Sequence, residues 1–362
     1  MADSTHPSLT RGRGAPSNAV PQRFGLGARV IDGDWLDDAK GIDGPAPRLR
    51  TTVTEEHPRA ILSFNTSPDI PFDRSINAYR GCEHGCVYCF ARPTHAYHDL
   101  SPGLDFETKL FAKPDAPRLL RATLAKPAYA PKVIAMGTNT DPYQPIEGRY
   151  RITRQVLEIC LETKHPVAIT TKSARVLRDI DLLAELAKER LVAVALSVTS
   201  LDPRLSGLLE PRASAPAKRL DALARLVDAG VPAHCMIAPV IPAVTDHFME
   251  SIVARAGAVG INSVNWIMLR LPHEVSPLFR QWLDVHYPDR AGKVMHMVQA
   301  MRGGRDNEPN FHARFKPEGA FADLFRQRFR LAVRRAGIPQ RQVALDCSRF
   351  RRPSLDGQLS LL

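Results

Sequence analysis

From about Asp73 to Leu271 the chain alternates between two hydrophobic rhythms. Short runs that are apolar at nearly every position predict strands over Ser75–Arg80, Pro131–Thr138, Pro166–Thr171, Leu191–Val198, Pro232–Ile241 and Ile261–Leu271. Between them, apolar residues recur every three or four positions and predict helices over Ile152–Thr163, Val176–Arg190, Ala217–Ala229 and His247–Ala256. Leu220, Leu223, Leu226 and Val227 form one such stripe. Strands apolar on both faces and separated by helices need cover on each side, which selects a parallel sheet with right-handed crossovers. Six such units predict an α/β fold, a partial (β/α)6 TIM-like barrel, with function gathered at the C-terminal ends of the strands.

After Pro272 the rhythm turns helical (Pro277–Val285, Ala291–Met301, Phe321–Ala336) and predicts a C-terminal helical appendage. The expected divisions are a mobile lead-in over 1–50, rich in Gly, Pro and charge without period, a core over 51–275, a helical extension over 276–345 and a basic tail over 346–362.

Composition narrows the class. With 362 residues, 44% hydrophobic and 24% charged, the chain can bury a sizeable core, and global disorder is excluded. No apolar run is long enough to span a bilayer, and Met1–Pro16 has no signal core, so no membrane partner is expected. A cytoplasmic setting is expected, and a reducing cytosol argues against structural disulfides. The formal charge of +11 is concentrated near the end of the chain. Between Phe311 and Arg352 stand Arg314, Lys316, Arg326, Arg328, Arg330, Arg334, Arg335, Arg341, Arg349, Arg351 and Arg352, against Glu318, Asp323 and Asp346. Such a patch suits a phosphate backbone and makes nucleic acid a candidate partner; a solvated arginine-rich helix face accounts for it equally well.

Three of the six cysteines fall within eight residues, Cys82-Glu-His-Gly-Cys86-Val-Tyr-Cys89, just past the first predicted strand. Three thiolates so spaced can wrap one compact metal object. A [4Fe–4S] cluster normally takes four thiolates, so three leave one iron open to a substrate or cofactor. Gly81 and Gly85 relieve crowding where the loop bends. Zinc held by Cys86, Cys89, His95 and His98 is the competing reading, although it leaves Cys82 surplus. Cys160 and Cys347 read as incidental thiols, and Cys235 as a strand residue that packs or points into the barrel.

The C-x3-C-x2-C spacing with Tyr88 before the third cysteine resembles the signature of the radical S-adenosylmethionine (SAM) superfamily. The longer stretch from Arg80 to His95 is similar to the spore photoproduct lyase-like branch, as are Gly137–Pro145, Thr171-Lys-Ser173, Ser197–Asp202, Glu210–Ala213 and Ile241-Pro242. The resemblance implies a cluster on Cys82, Cys86 and Cys89 with SAM on its open iron. It implies reductive cleavage to a 5′-deoxyadenosyl radical that takes hydrogen from a substrate, with the electron coming from a carrier such as flavodoxin or ferredoxin. By the same resemblance Tyr88 lies near the adenine, Lys172 reaches the SAM carboxylate and Ser197 makes a polar contact to SAM. One departure matters: where spore photoproduct lyases carry a cysteine that returns hydrogen to the product, this chain has Thr138. A hydroxyl is a far poorer hydrogen-atom donor than a thiol, so repair of the spore lesion is not expected. Three functional readings stand: a radical SAM enzyme acting on nucleic acid, one acting on a protein or small molecule, or a non-enzymatic zinc or nucleic-acid binding module.

Other features have two readings each. Glu210 and Arg212 either meet substrate or brace a loop, Glu83 and His84 either tune the cluster or lie in a solvated loop, and Asp141-Pro142 reads as a turn. Trp266, Phe279 and Trp282 read as core aromatics, and Gly303-Gly304 as a hinge.

Overall fold

The computed structural model describes residues 12–19 and 49–354. Its main sheet runs β10-β9-β8-β7-β6-β3-β2. Six strands are parallel: β3 (Arg74–Ile76), β6 (Ile134–Met136), β7 (Val167–Thr171), β8 (Val192–Ser197), β9 (Ala233–Val240) and β10 (Ser263–Met268). An antiparallel edge strand, β2 (Leu62–Phe64), pairs with β3. The edges β2 and β10 are not paired with each other, so the sheet is a barrel with an open side, as expected. A second, three-stranded sheet joins β1 (Thr52–Glu55), β5 (Lys109–Ala112) and β4 (Tyr79–Arg80).

The expected first strand, Ser75–Arg80, therefore divides between two sheets. Its first half pairs with β6, and after Asn77 the chain crosses to pair Tyr79 and Arg80 with β5. Besides two single-turn helices, Asp105–Thr108 and Glu147–Tyr150, the helices among the described residues are α1 (Ala116–Leu124), α2 (Ile152–Glu162), α3 (Ile180–Lys188), α4 (Pro203–Leu209), α5 (Pro216–Asp228), α6 (Met249–Ala258), α7 (Val275–His286), α8 (Pro288–Ala300) and α9 (Ala320–Arg335). The helix expected over Val176–Arg190 begins instead as a 3-10 turn, Ala174–Asp179, started by the Ser173 side chain accepting from the Arg175 N–H.

Register separates the two faces of the sheet. Ile169 and Val194 are side by side across β7 and β8, and Leu196 and Cys235 across β8 and β9, all fully buried in one core with Leu183, Leu223 and Ile252 of the helices. Cys235 thus faces the helical layer, not the barrel interior. The opposite face carries Ala168, Thr170, Ala193, Ala195, Ser197, His234, Met236 and Asn265, which are small or uncharged, and Thr170 and Asn265 remain exposed. Branched apolar residues fill the helix side while short side chains leave the concave side open.

The C-terminal helices close the structure rather than hang from it. The helix α9 packs on α6, and Trp266 of β10 meets Phe325 edge to face. The Gln340 side chain then exchanges hydrogen bonds with the Val264 backbone at 3.1 and 3.0 Å, covering the outer edge of β10. Phe350 packs against the rings of Tyr129 and His165. The rest of the expected tail, 355–362, lies outside the described residues.

Residues 12–19 depart from the mobile lead-in expected of the first fifty. They run against the cysteine loop so closely that a Cβ on Gly14 would meet the Gly85 carbonyl oxygen at 1.7 Å. Most of the remaining expected lead-in lies outside the described residues.

Candidate active site

The C-terminal ends of the parallel strands converge on one mouth. Just beyond β3 and β4 comes the loop with Cys82, Cys86 and Cys89, the first two thiols buried and the third half-buried, all unpaired by disulfides. Gly81 and Gly85 both adopt positive φ, +70° and +66°, so the loop bends where side chains would clash, as the sequence suggested. Burial first, and then mutual repulsion with neighbouring anions, pushes Cys82 well above the ordinary thiol range. Burial pushes Cys86 up to about 12 despite the nearby Lys172 cation. Three soft thiols gathered in a dry loop, each costly to ionise alone, make a donor set that a multivalent metal centre completes.

The loop is held from every side. Arg92, fully buried, uses all five N–H groups to tie it to its surroundings: Nε donates to the Cys86 carbonyl at 2.9 Å, and Nη1 to the Pro102 and Gly103 carbonyls at 2.9 Å each. Its Nη2 donates to the Gly85 carbonyl at 3.2 Å and to the buried carboxylate of Glu107. Glu107 in turn accepts from the Gly14 and Ala15 amides at 2.9 and 2.8 Å, which ties the N-terminal strap beneath the loop. Glu83 is buried and pairs with Arg212 at 2.8 Å, and Gln144 bridges the Glu83 amide and the Gly81 carbonyl at 2.9 and 3.1 Å. At the back of the loop, Val87 and Tyr88 pack with Phe279, Trp282, Val294 and Val298 of α7 and α8.

From the end of β6 comes Asp141, which does more than make a turn. Its carboxylate accepts from the Thr171 hydroxyl at 2.6 Å, from the Lys172 amide at 2.7 Å and from the Tyr143 amide at 2.9 Å, with His84 at 3.3 Å. Burial raises its pKa, but His84 and these donors outweigh it and hold the acid at about 2. The Asp141 carboxylate therefore fixes the strand end that presents Lys172. Glu83 and His84 are both buried, so the solvated-loop reading does not hold.

Lys172 follows β7 with its ammonium 5.8 Å from the centre of the Tyr88 ring. Burial disfavours its charge, but Cys86 and Glu210 outweigh this and raise it. The Tyr88 hydroxyl donates to Glu210, which also accepts from the Thr199 hydroxyl at 2.8 Å and from Arg219. Arg219 continues to the Ser197 carbonyl at 3.0 Å and the Ser214 carbonyl at 2.6 Å. Tyr88, Lys172 and the cysteine loop are thus brought together. Ser197 lies at the end of β8 on the concave face, with its carbonyl held by Arg219. Glu210 proves to be a buried brace, the loop-fixing reading of the sequence. Arg92, Glu107 and Arg219 were not singled out from the sequence, because a lone Arg or Glu carries no mark of where it will be buried.

The two histidines offered for zinc do not serve it. His95 packs edge-on to Phe106 with Nε2 on the Lys109 carbonyl at 2.8 Å, and His98 packs tilted against the Phe111 ring. Among the described residues no group of three or more His, Cys, Asp or Glu side chains is close enough to hold a single metal ion. A four-iron cube takes one thiolate per iron and so accepts a wider triangle.

The family model described as the radical SAM superfamily matches residues 76–256, half of the chain and the whole of this mouth up to β10. The chain belongs to the radical SAM superfamily. Its cofactors are those of that superfamily, a [4Fe–4S] cluster and SAM, and it is a radical SAM enzyme. An uncharacterized protein of Mycobacterium tuberculosis is 37% identical over 242 residues, covering 66% of this chain and 71% of the relative. An uncharacterized protein of Methanocaldococcus jannaschii is 28% identical over 214 residues, covering 59% of this chain and 76% of its own. Among solved structures, a spore photoproduct lyase mutant with bound AdoMet and dinucleoside spore photoproduct superposes with a TM-score of 0.56. It is 15% identical, with 83% of this chain and 85% of that chain covered, a likeness of fold. Among the described residues of this radical SAM enzyme, no helix is long and apolar enough to cross a membrane.

Proposed function

We propose that Cys82, Cys86 and Cys89 hold the [4Fe–4S] cluster of this enzyme and that the adjoining mouth binds SAM over Tyr88 and Lys172. When bound, the cluster and SAM supply one-electron cleavage of the sulfonium to a 5′-deoxyadenosyl radical, which takes hydrogen from a substrate. The observation that carries this reading is the cysteine loop itself: three unpaired thiols on a glycine-bent turn, clamped by Arg92 and facing a cationic lysine at the strand ends. Lys172 gives the SAM carboxylate a charge-assisted partner. Ser197, on the concave face at the end of β8, lines the approach to the same site. Tyr88, fixed by Glu210 and Thr199, offers a rigid ring beside the cluster. The concave face of small, uncharged residues leaves room for a substrate and presents few groups that a radical would attack.

Thr138 donates to the Asn77 side chain at 3.2 Å, consistent with a structural hydroxyl rather than a hydrogen-returning group. The electron is proposed to come from a carrier such as flavodoxin or ferredoxin. Nucleic acid is the favoured substrate: Arg314, Arg326, Arg328 and Arg349 of the basic stretch are used in internal ion pairs, but Arg330, Arg334 and Arg335 remain exposed on α9. Anaerobic reconstitution followed by dithionite and SAM tests the reading. Release of 5′-deoxyadenosine by the wild-type chain, lost in Cys82→Ala, Cys86→Ala and Cys89→Ala, supports it; cleavage that persists in those variants overturns it.

A further inference from the structure

The strand ends deliver one more group to this mouth that the chemistry above does not use. Two residues past β10 stands Arg270, on the open side of the barrel, where the sheet edges β10 and β2 are not paired with each other. The segment 311–315 straddles that side. Arg314 forks onto Asp69, which follows β2, at 2.6 and 2.8 Å, and the His312 amide donates to the same carboxylate at 3.0 Å. Arg314 and Arg270 both face the Phe315 ring, 5.0 and 4.7 Å from its centre. Arg302, just past α8, joins them and donates to the Leu269 carbonyl at 2.6 Å.

Three guanidiniums therefore gather beside one carboxylate, Asp69, whose field also reaches Arg270 but whose two oxygens Arg314 already engages; Glu308 acts on Arg302 and pairs with Arg305 at 3.8 Å. Among the described residues Arg270 has no carboxylate partner, and its buried Nε has no acceptor; the Nε of Arg302 is likewise buried without one. Burial first, then Arg314 and Arg302, pull Arg270 down to about 10, which still leaves it charged at neutral pH. A partly buried cation cluster with spare donors is expensive unless an anion completes it, and the planar forks of arginine suit the oxygens of a phosphate. The concave face beside it is uncharged, with Thr170, Asn265 and a His234 that burial keeps neutral, so the anionic part of a ligand has its counter-charge at the rim and not within.

We propose that Arg270, backed by Arg302 and Arg314, binds a phosphate group of the substrate at the open side of the barrel, so that the substrate is a nucleotide or a nucleic-acid strand. The inference rests on the radical SAM reading of the mouth for its function, but not for its measurement. The holoprotein with SAM and no reductant is titrated, by fluorescence anisotropy, with a short labelled single-stranded deoxyoligonucleotide. Thymidine 5′-monophosphate serves as competitor, and the same strand with methylphosphonate linkages as the uncharged control. Arg270→Gln weakens phosphate-bearing probes about tenfold or more, the loss of one charge-assisted contact, and Arg270→Lys falls between. A loss for both probes assigns a nucleotide phosphate, whereas a loss for the strand alone assigns a phosphodiester chain; either supports the site. Unchanged binding by both variants, or an equal loss with the methylphosphonate strand, overturns it. If the Gln variant fails to fold, the Lys variant decides. Failure of the radical reading would show separately, as no 5′-deoxyadenosine from the wild-type protein with dithionite.

Discussion

Replacing Arg92 by Met tests whether the cysteine loop is held in place by one buried guanidinium. The substitution keeps an unbranched apolar stem and removes five N–H donors at once, together with the guanidinium that sits 5.2 Å from the centre of the Phe106 ring. Four backbone carbonyls, of Gly85, Cys86, Pro102 and Gly103, lose their donor, and the buried carboxylate of Glu107 keeps only the amides of Gly14 and Ala15. Removing one partner of a buried ion pair costs about 3–5 kcal/mol. At roughly 2 cal/mol/K of unfolding entropy per residue, a cooperative chain of 362 residues loses about 1.3 °C per kcal/mol, so the midpoint should fall by about 4–7 °C. Thermal unfolding of the apoprotein followed by circular dichroism measures it, and adding Glu107→Gln to Arg92→Met should recover part of the loss. Iron bound on anaerobic reconstitution should fall in parallel. An unchanged midpoint with full iron content would refute the reasoning, because it would mean that the loop holds its shape without the clamp.

Further outcomes follow from the same geometry. Arg219→Met strands the buried Glu210 and should destabilise the chain by about 3–5 kcal/mol in urea titrations, with part of the loss recovered by adding Glu210→Gln. Lys172→Met should weaken SAM binding about tenfold, measured by equilibrium dialysis, because the carboxylate loses its cation. His165 is buried beside Tyr129 and Phe350, and burial lowers it from 6.5 to about 4. The folded state then binds its proton later than the unfolded chain. The His165 contribution is complete above pH 6.5 and is lost as pH falls through 4, about 3 kcal/mol in all. Urea midpoints of His165→Asn should fall less steeply over that window; a slope equal to wild type contradicts the assignment. Cys235→Ala, on the helix-facing side, should keep full iron content.

The strands from β6 onward were legible because each is a short, mainly apolar run bounded by turn residues, and the cysteine loop because its spacing is itself the chemistry. The small sheet was not legible: β1, β4 and β5 are two to four residues long and pair across distant stretches of chain. The division of the first predicted strand has the same cause, since nothing local at Asn77 announces that Tyr79 finds a different partner. The strap around Gly14 read as disorder because its order comes from Glu107, over ninety positions away. Arg92, Glu107, Glu210 and Arg219 look like surface charges one at a time, and only the fold shows that they neutralise one another in the interior. Asp141 was read correctly as a turn residue, but the same carboxylate also orders Lys172, a role that depends on β6 and β7 being neighbours.

The most direct test of the central claim is the iron and acid-labile sulfide content of anaerobically reconstituted protein, read beside its visible spectrum and its yield of 5′-deoxyadenosine with dithionite and SAM. A cluster of about four irons per chain is predicted for wild type, with SAM cleavage, and neither for the chain lacking Cys82, Cys86 and Cys89. A wild-type protein that takes up zinc but no iron, or a triple cysteine variant that still carries the cluster, would contradict the account.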